Sequence, residues 1–299
     1  MKSNNTYLNL LGSYAYLGKS QSFCDTFFNA SKEGRINTMI DSGAFTLFNS
    51  KEGKLNWLTL DNYCKFLEVY SQHTEKYVML DVINNHNQSK INYELMLKRG
   101  LNPMFVFTSL DKDYTYLKEA VGNNIHLCVA GGTTTKGDWM NKRFQDVYLK
   151  TQAKIHGLGF VKFPNIYQLP LHSVDSSTWI QGAQAYGNIF YFNNGLSAIP
   201  YNDILKKKKK IPIEVIQKLD KFKVTPKQFS DLSNHRGANS IETMLSIESY
   251  LSYQKYSKER GLNLFLAVSS KNNVDDILYI DENLNNNTLT YERWKTKKL

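Results

Sequence analysis

Short apolar runs, rich in β-branched and aromatic residues, recur along the chain at 7–11, 38–41, 77–81, 104–107, 126–130, 155–159, 172–175, 189–192 and 264–268. Each is too brief for a helix and nearly continuous in its apolar character, as strands buried on both faces are. Between several of them lie stretches of helical period, at 60–71, 91–99 and 113–121. Buried strands alternating with helices predict parallel β-α units. Eight or nine such strands within 299 residues favour an α/β chain closed as a TIM (β/α)8-type barrel over an open sheet. Residues 1–270 are expected to form this single domain. Nine candidates compete for eight places, so one of the late runs is expected outside the barrel. Residues 240–260 predict a helix with Ile241, Met244, Leu245, Ile247 and Leu251 near one face, stopped by Gly261. The Asn- and Asp-rich segment 271–299 is expected to be a weakly ordered peripheral tail.

Several of these runs end in a polar or glycine-rich cluster. One leads through Asp41 into Ser42, Gly43, Ala44 and Phe45; another ends on Asp81; a third runs into Gly131 and Gly132. A fourth holds His156, Gly157, Leu158 and Gly159, and a fifth reaches Asp175 before Ser176, Ser177, Thr178 and Trp179. In a β/α barrel the C-terminal strand ends form the active face, so three carboxylates and two glycine turns would meet at one mouth. Each aspartate also has a plainer reading. Asp41 and Asp175 could cap the helices that follow. Asp81, inside an apolar run, must face solvent, a partner or a site. His73, His86 and His235 read as surface or satisfied core histidines, while His156 and His172 fall on strands expected near the mouth.

Composition narrows the function. A hydrophobic fraction of 41% supports a packed core, and 37 basic against 27 acidic residues give a net charge of +10. That balance suits a polyanionic partner, nucleic acid before acidic lipid. The run Lys206, Lys207, Lys208, Lys209 and Lys210 is by default a solvated loop and otherwise a contact for phosphates. Three widely spaced cysteines, Cys24, Cys64 and Cys128, form no CxxC pair, which disfavours a zinc ribbon or a disulfide framework and suits a reduced, cytoplasmic protein. No apolar run is long enough for a membrane span, and the N-terminal run lacks a small-residue cleavage site. Sequences of the GxGxxG, Walker and G-x-S-x-G types are absent, so dinucleotide, nucleoside-triphosphate and serine-hydrolase readings lack their usual support.

Taken in order, these clusters resemble the tRNA-guanine transglycosylase (queuine tRNA-ribosyltransferase) family. Within it they resemble the phage-type branch that exchanges guanine in DNA for a 7-deazaguanine. Asp41-Ser42-Gly43-Ala44-Phe45 is similar to the family's Asp-Ser-Gly-Gly-aromatic block, and Tyr77 to Asp81 to its second aspartate-ending strand. Val129-Ala130-Gly131-Gly132 is similar to its Gly-Gly turn, and His156-Gly157-Leu158-Gly159 to its Met-Gly-Val-Gly strand. Val174-Asp175-Ser176-Ser177-Thr178-Trp179 resembles the block that bears the nucleophile. The likeness spans residues 37–180, about half the chain.

The resemblance implies Asp175 as nucleophile at C1′ and Asp41 as general acid/base. It implies Asp81 as acceptor from the guanine edge, Gly131 and Gly132 as backbone donors to the base carbonyl, Phe45 as a stacking ring, and Ser42 beside them. It implies DNA and a 7-deazaguanine base as partners and no cofactor. The family's Cys-x-Cys-x-x-Cys…His zinc site has no counterpart after Cys128, so no metal is expected. Thr108 and Ser109 stand where the tRNA enzymes carry Gln-Gly, which departs from the family's pocket for the base substituent. DNA is therefore favoured over tRNA. Rival readings are the same chemistry on tRNA, a non-catalytic nucleic-acid-binding paralogue, and a barrel hydrolase of glycosides or nucleosides.

Overall fold

The computed structural model describes residues 8–51, 54–108, 112–130, 137–161 and 165–297. The chain divides into two compact units, one running to Asp175 and taking up 260–271, the other comprising 176–259 and the residues from 272 onward.

The first unit is built on eight parallel strands. In chain order they are β1 (Asn9–Ser13), β2 (Asn37–Asp41), β3 (Lys76–Tyr77), β4 (Phe105–Phe107), β5 (His126–Ala130), β6 (Lys154–Leu158) and β7 (Leu171–Ser176). The eighth, Asn263–Val268, comes after two strands of the second unit and is β10. The hydrogen-bonded order is β3-β2-β1-β10-β7-β6-β5-β4. The sheet curls until its two edges meet. Val78 and Met104 form a parallel bridge, in which Met104 N donates to Tyr77 O at 2.8 Å and Met79 N to Met104 O at 3.1 Å. Strand interiors are apolar and buried, as two-sided burial demands: Leu10, Ile40, Phe107, Leu127, Ile155 and Leu266 are all enclosed.

Capped helices cover this sheet. Ser20 caps Gln21–Lys32, Thr59 caps Leu60–Tyr70, Asn85 caps His86–Lys98 and Asp113 caps Tyr114–Asn123, each accepting from a backbone N–H in the first turn. Those side-chain oxygens satisfy donors that a helix leaves without partners. The helix Gly137–Thr151 follows β5. After β6 the described residues hold only a 3-10 turn, Asn165–Gln168. Eight of the nine expected strands lie in this sheet, with ends shifted by a residue or two. The run at 77–81 is the exception, because regular pairing stops at Tyr77 and the bridge at Val78.

The ninth run is the one outside. In the second unit β8 (Asn188–Phe192) pairs antiparallel with β9 (Leu196–Pro200), across a tight turn with Asn194 at φ +50°. The helix Ile241–Lys258 ends before Gly261, at φ +78°, as expected. Its burial differs from expectation. Instead of one apolar face, the helix is enclosed on nearly all sides, with Glu242, Ser246, Ser249, Gln254 and Ser257 fully buried. Partners explain the polar residues: Ser249 Oγ donates to Phe190 O at 2.9 Å, and Glu242 accepts from the His235 ring at 2.7 Å.

The segment 271–299 is not a weakly ordered tail. It carries the helices Lys271–Asn285 and Tyr291–Thr296, which bury Val274, Ile277, Ile280, Tyr291 and Trp294. The boundary expected at 270 therefore falls where the second unit takes the chain back. The apolar positions follow helical period, but the Asn and Asp between them dilute the signal, and two of these, Asn273 and Asp276, are themselves buried. Trp294 is 1% exposed and its Nε1 donates to Ser240 O. Trp294→Ala should cost about 3–5 kcal/mol, as loss of a buried tryptophan does, measured by chemical denaturation; an unchanged midpoint would mean the segment is not part of the fold.

Candidate functional site

Asp41 is the last residue of β2, paired in register with Ser13 of β1. Its Oδ2 accepts from Gly43 N at 3.0 Å. Gly43 has φ +83°, and a Cβ there would stand 2.7 Å from the Ala15 Cβ, so only glycine makes this turn. The chain then enters the short helix Ala44–Phe48. Ser42 is fully buried, while Phe45 is 61% exposed on that helix. Burial raises the pKa of Asp41 most; the Gly43 N–H opposes, the negative charge of Asp175 adds to the rise, and Ser13 and His156 pull it down. The net direction is upward, which favours the protonated acid.

Asp175 lies on β7 and is 9% exposed. Its Oδ1 accepts from Gly159 N at 2.7 Å. Gly159, at φ +64° just past β6, turns its N–H toward the neighbouring strand. The same Oδ1 is 3.3 Å from His156 Nε2. His156 is 1% exposed on β6, and its Nδ1 lies 2.8 Å from Ser173 Oγ.

Asp81 follows the Val78 bridge by three residues in non-repetitive chain and is partly exposed. The helix His86–Lys98 fixes this loop. Asn92 Nδ2 donates to Leu80 O at 2.9 Å, and Val82 N donates to Ser89 Oγ at 2.8 Å. On the other side Tyr63 OH donates to Val78 O at 2.7 Å. The buried thiol of Cys128, on β5, ties the three carboxylates together. Burial pushes its pKa well above the usual value, and Asp41, Asp175 and Asp81 all push it further. Asp41 ends β2, Asp175 lies near the end of β7 and Asp81 follows β3, so all three aspartates stand toward the C-terminal strand ends.

Other expected residues fall elsewhere. Gly131 and Gly132 lie outside the described residues, as does Ser109. Lys206, Lys207, Lys208, Lys209 and Lys210 are exposed in the second unit, after the helix Tyr201–Leu205. Lys209 pairs with Asp203 at 3.3 Å. His172 is not near the mouth: it is the second residue of β7, edge-on to His126, the first residue of β5, at 5.3 Å. In parallel strands both therefore sit at the N-terminal end. Burial, first, and nearby Lys76 push His126 down to about 4.

Ser13, Ser173 and Cys128 were not among the expected site residues, and His156 was expected only to lie near the mouth. The signal for Ser173 is its place two residues before Asp175, which puts both on one strand face. Among the described residues no group of three or more His, Cys, Asp and Glu is arranged to hold a metal ion. No described helix is long and apolar enough to cross a membrane. No protein-family model matches the chain, and no curated protein matches it in sequence.

The upward direction at Asp41 has a consequence for stability. A native pKa above the unfolded value means that the ionised form penalises the fold above that pKa, and the penalty vanishes below the unfolded value of about 3.9. Asp41→Asn keeps an acceptor for Gly43 N–H and removes the charge. Its Tm at pH 8 should exceed that of the unsubstituted chain by about 2–4 °C, with the gain shrinking toward pH 4 in calorimetry. A gain independent of pH would remove Asp41 as a buried carboxyl of raised pKa.

Proposed function

We propose that this chain is a DNA-guanine transglycosylase, an enzyme that replaces guanine in DNA by a 7-deazaguanine through a covalent glycosyl-aspartate. One observation carries the reading. Three aspartates stand toward the C-terminal strand ends of one curled sheet, and two of them sit in opposite settings. Asp41 is placed to hold a proton, and Asp175 has one oxygen tethered while no described residue bonds the other. The order of the sequence blocks supports the same reading. So does the sheet, whose cyclic strand order and Val78–Met104 bridge read as a TIM-type barrel, with its reacting face at those strand ends.

The chemistry balances on these residues alone. In the first displacement Asp175 Oδ2 bonds to C1′ as the C1′–N9 bond breaks, and the electron pair leaves with the purine. Positive character builds at C1′ as it does in glycoside transfer, and the carboxylate traps it as an ester. Asp41 gives its proton to the leaving base. In the second displacement the incoming base loses its N9 proton to Asp41 and attacks C1′, and the ester electrons return to Asp175. Asp81 accepts from the N1–H and exocyclic amine of the base, and Gly131 and Gly132 supply donors to its carbonyl. Phe45, held exposed on its short helix, stacks on the ring. The target base must leave the duplex to reach this site, at a cost of a few kcal/mol. The +10 net charge favours phosphate contacts that offset it.

The test is base exchange. Labelled guanine or 7-cyano-7-deazaguanine is incubated with the protein and, in parallel, double-stranded DNA, single-stranded DNA or tRNA. Label should enter DNA, and Asp175→Ala should lower the rate by at least about 10³-fold while polymer binding persists. Label entering tRNA alone would keep the chemistry and replace the polymer. Free base released without incorporation would indicate a hydrolase, and tight binding with no label in any polymer a non-catalytic binder.

Asp81→Ala should raise KM for the free base by about 10–100-fold, the worth of a charged hydrogen-bond acceptor, with kcat nearly unchanged. An unaltered KM would remove Asp81 from the base pocket.

A further inference from the structure

We infer that His156 is a positioning residue for Asp175: anchored by Ser173, it holds Oδ1 and selects Oδ2 as the attacking oxygen. The inference rests on the transglycosylase reading for what Oδ2 then attacks. The placement itself comes from strand register. His156 of β6 pairs with Ser173 of β7, and Asp175 is two residues further along the same face of β7. The His156 ring therefore lies between Ser173 and Asp175, and all three side chains are buried, at 4% exposure for Ser173, 1% for His156 and 9% for Asp175.

The hydrogen-bonding inventory sets the tautomer. His156 Nε2 faces a carboxylate oxygen, which only accepts, so a proton on Nε2 is the complementary state. Nδ1 then accepts from the Ser173 hydroxyl at 2.8 Å. The ring is also packed edge-on against Phe265 of β10, with centroids 6.2 Å apart. At 3.3 Å, Nε2 makes no well-aligned hydrogen bond in this state. Catalytic hydrogen bonds in free enzymes are often long and tighten in the reacting complex. Gly159 N–H already holds Oδ1 at 2.7 Å, so a small rotation of the carboxylate brings the second donor onto the same atom.

His156 does not itself reach substrate, because its ring is enclosed beneath Asp175. Nor is the line a serine-hydrolase relay, since the serine lies at the buried end and the carboxylate at the open one. The two donors serve both displacements. When Oδ2 bonds to C1′, Oδ1 becomes the ester carbonyl oxygen, keeps the Gly159 N–H and takes up that of His156. When the ester C1′–O bond breaks, those N–H groups receive the returning negative charge, which favours departure of the carboxylate.

Three variants of the full chain test this: His156→Leu, His156→Gln and Ser173→Ala, each checked for an unchanged Tm. With labelled base and DNA, His156→Leu should lower kcat by about 10–100-fold with KM for the base within twofold. His156→Gln, whose side-chain amide can place an N–H near the Nε2 position, should recover most of the loss, and Ser173→Ala should lie between. Unsubstituted kcat in His156→Leu overturns the inference. So do equal losses in the Leu and Gln variants. If His156→Leu does not fold, Ser173→Ala decides in its place, and unsubstituted kcat there overturns the inference.

An activity-free reading separates this inference from the function. In ¹⁵N-histidine NMR spectra of the unsubstituted chain, the His156 Nε2 should carry its proton and shift on Asp175→Asn. An unprotonated Nε2, or one indifferent to that change, overturns the inference. Absence of base exchange by the unsubstituted chain overturns the transglycosylase reading, whatever the spectra show.

Discussion

Two main-chain hydrogen bonds at Met104 decide what the strand ends can do. They join β3 to β4 and so bring the two edges of an eight-stranded sheet together. In the linear order of that sheet, β2 and β5 are five places apart. At about 4.8 Å per strand a flat sheet would separate them by about 24 Å, beyond the screening length of physiological salt. The Val78–Met104 bridge closes that distance, and beside burial the charges of Asp41 and Asp81 both push the pKa of the Cys128 thiol on β5 upward. Curling of the sheet brings together strands that lie far apart along it.

Toward those strand ends, identical side chains lie in different surroundings. Asp41 is pinned by the Gly43 turn in a partly buried position, and desolvation, with the charge of Asp175, raises its pKa. Asp175 meets a backbone N–H and the edge of a buried imidazole. Asp81 stands on an irregular loop held by Asn92, Ser89 and Tyr63, where a side chain can face an incoming group. Pairs of titratable groups in opposed environments divide acid and nucleophile roles in enzymes that work near neutral pH. Here the contrast in setting comes from two left-handed glycines and one histidine.

Much of this was legible in the residues, with specific limits. The strand runs were readable because burial on both faces makes them nearly continuously apolar. The run at 189–192 could not be told from them, since a short apolar run has the same pattern whether it joins a parallel sheet or a two-stranded hairpin. The helices of 271–297 were hidden because Asn and Asp, on buried positions such as Asn273 and Asp276 as well as on the surface, diluted a regular apolar period. The helix Ile241–Lys258 was found, but its buried glutamates and serines find partners such as His235 and the Phe190 carbonyl, which no periodicity contains.

The candidate site divides along the same line. By itself the sequence determined that aspartates and glycines follow apolar strands, because a carboxylate in such a run needs a polar setting and a left-handed turn needs glycine. It thereby determined the parallel β-α class and the identity of Asp41, Asp81 and Asp175 as the residues to watch. Tertiary structure alone decided that the two edges of the sheet close and that His172 lies at the opposite strand end from the aspartates. It also decided that Ser173, His156 and Asp175 form one line. The physical reason is register: which residues of β6 and β7 stand side by side depends on backbone pairing between strands, and local sequence does not encode it.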